Sequence, residues 1–260
     1  MMILGGKTAV VYGGGGHIGG TVARAFAAEG ARVFLTGRTL AKLKPVAGEI
    51  TAAGGAAEIA AVDALDGKAV DGHLDDVIAR AGRVDISFNA VWIRGDLQGT
   101  ALRDMTVENF TTPIMTAATT HFLTTTAAAR HMVKAGGGVI LTLSTTASAL
   151  SGRDRMFHKT GGFGVACAAI EEITRSLAGE LGPFGVRVVC LRSDAIPETW
   201  PIGDEGWPPA KAYMDAGTVL GRLPTLRQLA DAAVFAASDR AAALTGAILN
   251  LSCGSVMSTN

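Results

Sequence analysis

Short apolar runs alternate along this chain with longer segments in which apolar residues recur at helical spacing. Seven runs predict strands, at Thr8–Tyr12, Arg32–Thr36, Ala56–Ala61, Val84–Phe88, Val139–Leu143, Val186–Leu191 and Ala247–Leu251. The stretches between them predict helices, at Gly20–Glu29, Leu40–Ala53, Gly67–Ala81, Ile114–Lys134, Val165–Leu181 and Leu226–Ala237. Continuously apolar strands that alternate with helices indicate a parallel sheet covered on both faces. We therefore expect one α/β domain over residues 1–260, with a doubly wound parallel sheet of about seven strands.

Two of the helical stretches, residues 116–133 and 163–181, are apolar almost all round. Such a helix is either deeply buried or pressed against another subunit. We expect a homodimer or homotetramer from this pattern. The acidic pair Glu171 and Glu172 interrupts the second stretch and is interpreted as a solvated or inter-subunit strip of the helix.

Charge and cysteine usage narrow the class of protein. Lys plus Arg and Asp plus Glu are both 23, so the net charge is zero, which argues against a nucleic-acid or acidic-membrane partner. The three cysteines, Cys167, Cys190 and Cys253, have no metal-binding spacing, and we predict no metal site. No apolar run reaches the roughly 18 residues of a membrane span, and the N-terminus does not resemble a signal peptide. We expect a soluble, cytoplasmic protein that acts on a small molecule.

A glycine cluster follows the first predicted strand and opens the first helix. Tight turns, close backbone approach and helix N-terminal N–H groups suit the pyrophosphate of a dinucleotide. The candidate cofactor-binding residues here are Gly13, Gly15, Gly16, His17, Ile18 and Gly19. His17 has three interpretations, since it could donate to a phosphate, fill the space of an absent cofactor, or cap the helix. A flexible turn without a ligand is the alternative for the whole cluster.

The ends of the next strands indicate which dinucleotide is bound. Where an NAD site carries an acidic residue, this chain has Gly37 followed by Arg38, a cation suited to a 2′-phosphate. The pattern favours NADP(H) over NAD(H), unless Arg38 is simply a solvated loop charge. Asp63 is a candidate acceptor for the adenine amino group and could equally cap the next helix.

Several motifs, in order and spacing, resemble the short-chain dehydrogenase/reductase family over essentially the whole chain. Tyr12–Gly19 is similar to the family's TGxxxGIG, and Asn89-Ala90-Val91-Trp92 to its NNAG. The segments Ile173–Val189 and Leu244–Gly254 resemble its LTRSLAxELxPxGIRVN and TGQxLxVDGG motifs. The resemblance implies a Rossmann-type domain, a nicotinamide cofactor near Asn89, and hydride transfer to or from a carbonyl or alcohol.

This chain departs from the family at the residues that carry the chemistry. The family uses a Tyr as general acid/base, a Lys that lowers the pKa of that Tyr, a Ser that polarises the substrate oxygen, and an Asn in a proton relay. The corresponding positions are Phe163, Cys167, Thr145 with Ser144 beside it, and Ala117. Further departures are His17, Trp92 and the pair Ser193-Asp194.

Other residues are candidates for the missing acid/base. The segment 151–162 is about five residues longer than is usual in the family and contains Arg153, Asp154, Arg155, His158 and Lys159. His158 and Lys159 could supply an acid/base and a cation, or the segment could be a mobile charged lid. Residues 194–222 predict a substrate lid, in which Trp200, Trp207 and several prolines suit a hydrophobic substrate and equally suit simple packing.

Two functional hypotheses follow. The first is an NADP(H)-dependent oxidoreductase with a degraded or non-standard catalytic site, in which Ser144 or Thr145 polarises the substrate and the 153–159 segment or water supplies the proton. The second is a catalytically inactive member that uses the fold as a ligand or cofactor sensor or as an oligomeric partner. Whether the protein is an enzyme is left open by the sequence.

Overall fold

The structure is a computed structural model that describes residues 2–201 and 207–257, with only the backbone for Arg153 and Trp207. Seven strands form one sheet in the order β3-β2-β1-β4-β5-β6-β7, and all neighbouring strands are parallel. The strands are β1 Thr8–Tyr12, β2 Arg32–Gly37, β3 Ala56–Ala61, β4 Ile86–Asn89, β5 Gly138–Thr145, β6 Val186–Ser193 and β7 Ile248–Leu251. The predicted doubly wound sheet is confirmed.

Eight α-helices lie in the described part of the chain. They are α1 His17–Ala28, α2 Leu40–Ala52, α3 Gly67–Ala81, α4 Val107–Ala135, α5 Gly152–Phe157, α6 Gly161–Leu181, α7 Trp207–Ala216 and α8 Leu226–Ala237. All six predicted helices are present. Helix α4 begins seven residues before the predicted Ile114 because the Thr106 hydroxyl caps it by accepting from the Asn109 N–H. Short α5 and α7 lie in segments for which no helix was predicted.

The sheet separates two apolar layers, as the alternation along a strand requires. On one face, Val11 packs with α1, α2 and α8, for which Phe26 and Leu229 are examples. On the other face, Val10 packs with α3, α4 and α6, through residues such as Leu74 and Met132. Helices on both faces leave only the ends of the strands open. The chain order reverses between β1 and β4, so their carboxyl ends flank the crevice where ligands bind in such sheets.

Helices α4 and α6 pack against each other and also present apolar side chains outward. Met115 and Phe122 on α4 are 61% and 60% exposed, and Val165 on α6 is 45% exposed. The predicted inter-subunit role of these helices stays a prediction. Glu171, in contrast, is buried, so its assignment to a solvated or inter-subunit strip is wrong. Among the described residues, none of the helices has the length and apolarity needed to cross a membrane.

Candidate functional site

The turn after β1 depends on glycine at several positions. Gly13 has a φ of +74°, and a Cβ there would lie 2.5 Å from the Ala90 carbonyl oxygen in the loop after β4. A Cβ on Gly14 would lie 2.7 Å from the Leu35 side chain on β2. Gly19 brings α1 against the backbone of Gly13. The glycines therefore allow β1, α1 and the loop after β4 to meet at one point.

Gly16 has a different role, since a Cβ there would meet only the Gly13 carbonyl, at 3.4 Å. The residue is exposed and occupies the N-cap position of α1, whose first N–H groups have no partner within the helix. The open space beside Gly16 and these N–H groups form a cradle that a side chain would fill, and it fits a pyrophosphate. His17 is the first residue of α1 and is exposed, so it does not occupy the capping position.

Arg38 and Asp63 follow the carboxyl ends of the neighbouring parallel strands β2 and β3. Arg38 is exposed and takes part in none of the ion pairs recorded between described residues. Asp63 accepts a hydrogen bond from the Leu65 N–H at 3.0 Å. The side chain that caps α3 is Asp66, which accepts from Lys68 and Ala69, so the capping interpretation of Asp63 is wrong.

Asn89, the last residue of β4, lies on one side of the crevice. It is buried, its Nδ2 donates to the Thr124 hydroxyl at 3.0 Å, and its Oδ1 accepts from the Val91 N–H at 2.9 Å. These two bonds fix the loop after β4 against α4 and opposite the glycine turn. Trp92 in that loop is exposed, with the Arg94 guanidinium 5.6 Å from its ring centre.

The positions that hold Tyr, Lys and Asn in the family meet in an apolar cluster. Phe163, Cys167 and Ala117 come together with Ile93, Ala147, Ala166, Ile170 and Cys190. Cys167 is fully buried, and burial raises the pKa of its thiol to about 11. A thiol in this state is a weak nucleophile and carries no positive charge. These three residues therefore supply neither the proton nor the cation of the family's chemistry.

A hydroxyl remains beside this cluster. Thr145, the last residue of β5, is half-buried, and its Oγ1 lies 3.3 Å from the Cys167 Sγ. The same Oγ1 accepts from the Ala147 N–H at 3.2 Å. Ser144 is buried, and its hydroxyl donates to Glu171 at 2.7 Å. Of the two hydroxyls, Thr145 is the one that is not committed to a charged partner.

Glu171 and Arg192 form a buried ion pair that the sequence interpretation missed. Arg192 donates from Nε at 2.8 Å and from Nη2 at 2.5 Å to the two carboxylate oxygens. Ser144 and Ser148 each donate to Glu171 Oε1 at 2.7 Å. Burial alone would raise the pKa of Glu171, but these donors outweigh it and lower the pKa. The missed signal is the pair of Arg192, near the end of β6, and Glu171, one helical turn after Cys167 on α6.

The candidate acid/base His158 lies against helix α7, within the segment predicted to be a lid. Its ring is 5.9 Å from that of Tyr213 on α7, and the Phe157 ring stacks on Tyr213 at 4.3 Å. The Tyr213 hydroxyl donates to Asp154 at 3.3 Å. Lys159 is exposed, and its carbonyl accepts from the Gly99 N–H. The contacts of Asp154 and Phe157 with Tyr213 thus join α5 to α7. Residues 202–206 of the predicted lid and the side chains of Arg153 and Trp207 lie outside the described part of the chain.

Ser193 and Asp194 stand at the end of β6. The Asp194 carboxylate accepts from the Ala195 N–H at 2.7 Å and from the Ser255 hydroxyl. Asp194 therefore ties the end of β6 to the residues that follow β7. Among the described residues, no group of three or more His, Cys, Asp or Glu side chains could hold a metal ion.

Comparisons with known proteins agree with this geometry. The family model for enoyl-(acyl carrier protein) reductases matches residues 16–255. An uncharacterized oxidoreductase of Mycobacterium tuberculosis is 32% identical over 98% of this chain and 94% of its own length.

Solved structures extend the likeness to the fold. A short-chain type dehydrogenase/reductase from Mycobacterium marinum has a TM-score of 0.85 at 29% identity, covering 98% of this chain and 96% of the other. A 7α-hydroxysteroid dehydrogenase, solved with NADH and 7-oxo glycochenodeoxycholic acid, has a TM-score of 0.84 at 28% identity, covering 100% of this chain and 98% of the other. The chain belongs to the short-chain dehydrogenase/reductase family of oxidoreductases.

Proposed function

We propose that this protein is an NADP(H)-dependent oxidoreductase that reduces a carbonyl group, or oxidises the matching alcohol, without the family's Tyr-Lys pair. The observation that carries the proposal is the hydrogen bonding of Thr145. Its Oγ1 already accepts from the Ala147 N–H, so its own hydrogen is left to donate. The nearest recorded acceptor is the Cys167 sulfur, at 3.3 Å, and sulfur is a weak acceptor. A substrate carbonyl oxygen, being a stronger acceptor, would take that hydrogen bond.

The nicotinamide cofactor supplies the hydride chemistry when it is bound. The cradle around Gly16 would hold the pyrophosphate, and the wall built on Asn89 would face it across the crevice. Arg38 at the end of β2 would pair with a 2′-phosphate, which supports NADP(H) over NAD(H). Asp63 would accept from the adenine amino group. The relative that was solved with NADH supports a nicotinamide cofactor but not the choice between the two.

Thr145 would polarise the carbonyl by donating to its oxygen while hydride reaches the carbon. In reduction, the oxygen also takes up one proton to become the alcohol hydroxyl, and in oxidation that proton leaves. With Phe163 and Cys167 unable to deliver it, the proton comes from water or from His158 if α5 moves over the crevice. His17, exposed at the start of α1, would donate to a phosphate.

The residues that pack beside Thr145 are apolar. Phe163, Ile93 and Ile114 belong to the cluster beside Thr145, and Met156 and Phe157 on α5 are exposed. This lining supports a hydrophobic carbonyl or alcohol substrate covered by the lid at 194–222. The exposed apolar residues of α4 and α6 support a homodimer or homotetramer, and the three free cysteines support a cytoplasmic location.

The experiment has two stages. NADPH and NADH are titrated against the protein while nicotinamide fluorescence is followed. A panel of hydrophobic ketones and aldehydes is then screened for loss of absorbance by the bound dinucleotide. The proposal predicts tighter binding of NADPH and turnover of at least one carbonyl. If neither dinucleotide binds, the proposal is wrong; binding without turnover across the panel favours the inactive sensor.

A further inference from the structure

A buried polar cluster lies directly behind Thr145. It consists of Glu171 on α6, Arg192 on β6, and Ser144 and Ser148, which flank Thr145 in the chain. The Ser148 hydroxyl lies 2.7 Å from Glu171 Oε1 and 3.0 Å from the Thr145 carbonyl oxygen, so its single hydrogen is shared between the two acceptors. Glu171 accepts four hydrogen bonds in total, two from the serines and two from Arg192. The end of β5 is therefore attached to both neighbouring elements through one carboxylate.

Burying these charges has a cost that apolar packing would avoid. A buried ion pair is often no more stabilising than well-packed apolar residues of the same size, because both ions lose their hydration. Stability alone therefore gives little reason for a carboxylate here. The carboxylate instead orients the Ser144 and Ser148 hydroxyls and, through them, the backbone on both sides of Thr145.

We propose that Glu171, held in place by Arg192, is the positioning residue for Thr145. The cluster keeps the turn after β5 closed, so that the Ala147 N–H donates to Thr145 Oγ1 and the threonine hydrogen is left for the substrate carbonyl. The catalytic consequence rests on the proposed function, whereas the structural part, that the cluster holds the turn, does not. Glu171 acts through Ser144 and Ser148 and does not itself touch the substrate.

The structural part is tested first, by hydrogen exchange at the Ala147 amide. Glu171→Gln leaves Arg192 uncompensated, whereas the double variant Glu171→Leu/Arg192→Met removes both charges and replaces them with apolar side chains. Glu172→Gln is the matched control, because Glu172 is the next residue of α6 and pairs with Arg175 on the surface. We expect Ala147 exchange to rise about tenfold or more in the double variant and to stay within twofold in the control. Unchanged Ala147 exchange in the double variant would overturn the proposal.

The catalytic part is tested on the carbonyl that the panel identifies. At unchanged melting temperature, the double variant should lose about tenfold or more in kcat, with KM and the NADPH dissociation constant within about threefold of wild type. A purely structural ion pair would leave kcat unchanged at equal stability, and that result overturns the positioning role. If Ala147 exchange rises but the wild-type protein turns over none of the carbonyls, the proposed function fails while the cluster's hold on Thr145 stands.

Discussion

The hydroxyl of Thr145 lies 3.3 Å from the thiol of the fully buried Cys167. This relationship predicts the reactivity of the thiols. Burial raises the pKa of Cys167 to about 11, and Cys190 is buried as well, whereas Cys253 is half-exposed. With Ellman's reagent at pH 8, we expect one fast thiol and two that react at least about a hundredfold more slowly.

Mass spectrometry of the labelled protein identifies the fast thiol. Cys253→Ser should remove the fast phase and leave the slow phases unchanged. Rapid labelling of Cys167 in the folded wild type would show that the crevice beside Thr145 is open to the reagent, contrary to the geometry described above.

We propose that Arg38 sets the preference for NADPH over NADH. Arg38→Ala should weaken NADPH binding by roughly tenfold or more, because a charged hydrogen bond contributes about 1.5–3 kcal/mol, and should change NADH binding little. Arg240→Ala is the control, since Arg240 is also exposed but follows α8, beside the Asp239 that pairs with Lys7 ahead of β1. Dissociation constants from fluorescence titration decide the point. Equal losses for the two dinucleotides would refute a 2′-phosphate contact.

Two glycines of the turn after β1 should respond differently to alanine. At Gly13 the positive φ and the 2.5 Å approach to the Ala90 carbonyl oxygen leave no room for a Cβ, so Gly13→Ala should lower the melting temperature by several degrees. At Gly16 the added methyl meets only the Gly13 carbonyl at 3.4 Å, so Gly16→Ala should fold normally.

The two variants separate folding from binding. In Gly16→Ala the methyl enters the cradle, and we expect NADPH binding to weaken by about tenfold or more with an unchanged melting temperature. If Gly16→Ala binds NADPH as wild type does, the pyrophosphate does not lie in this cradle.

His121 predicts how stability depends on pH. It is fully buried in α4, its Nδ1 lies 3.0 Å from the Ala117 carbonyl oxygen, and its Nε2 has no partner among the described residues. Burial lowers its pKa to about 4, below the ordinary 6.5, although the bond to Ala117 acts in the opposite direction. Between pH 6.5 and about pH 4 the imidazole is protonated in the unfolded chain but stays neutral in the folded chain. The free energy of unfolding therefore falls as the pH falls through this range.

We expect the protonation of His121 in the unfolded chain to lower the free energy of unfolding by about 2 kcal/mol when the pH falls from 7.5 to 5. Urea unfolding at the two pH values measures it. His121→Leu should reduce the loss by that amount, whereas His131→Gln, at a partly exposed histidine 3.5 Å from Asp75, should change it little. An unaltered pH dependence in His121→Leu would contradict a buried, neutral imidazole.

The order of strands and helices was predictable because local patterns carry it. Consecutive apolar residues such as Val10 and Val11 indicate a strand that is buried on both faces, and the glycines after β1 indicate the first turn. The start of α4 was not predictable from apolar periodicity, since the cap at Thr106 precedes the apolar stretch by several residues. Helix α5 was hidden because it has only six residues and no apolar face of its own.

The candidate site could be predicted only where a single position in a motif carries a chemical role. Motif spacing singles out Thr145 and Cys167, whose side chains lie 3.3 Å apart, and Phe163, which packs in the same cluster as Cys167. Their functional roles stay predictions. Glu171 and Arg192 could not be joined from the sequence because they lie on α6 and β6, 21 residues apart, and meet only when β6 packs beside that helix. A glutamate beside a second glutamate was interpreted as a solvated strip, and only tertiary packing separates buried Glu171 from exposed Glu172.

The proposed mechanism depends on the Thr145 hydroxyl, which would polarise the substrate carbonyl. It is tested most directly by kcat/KM for NADPH-dependent carbonyl reduction in Thr145→Val, which keeps the side-chain shape and removes the hydroxyl, and in Thr145→Ser, which keeps the hydroxyl. We expect a loss of about a hundredfold to a thousandfold in Thr145→Val and of less than about tenfold in Thr145→Ser. Activity of Thr145→Val within about threefold of wild type would contradict it.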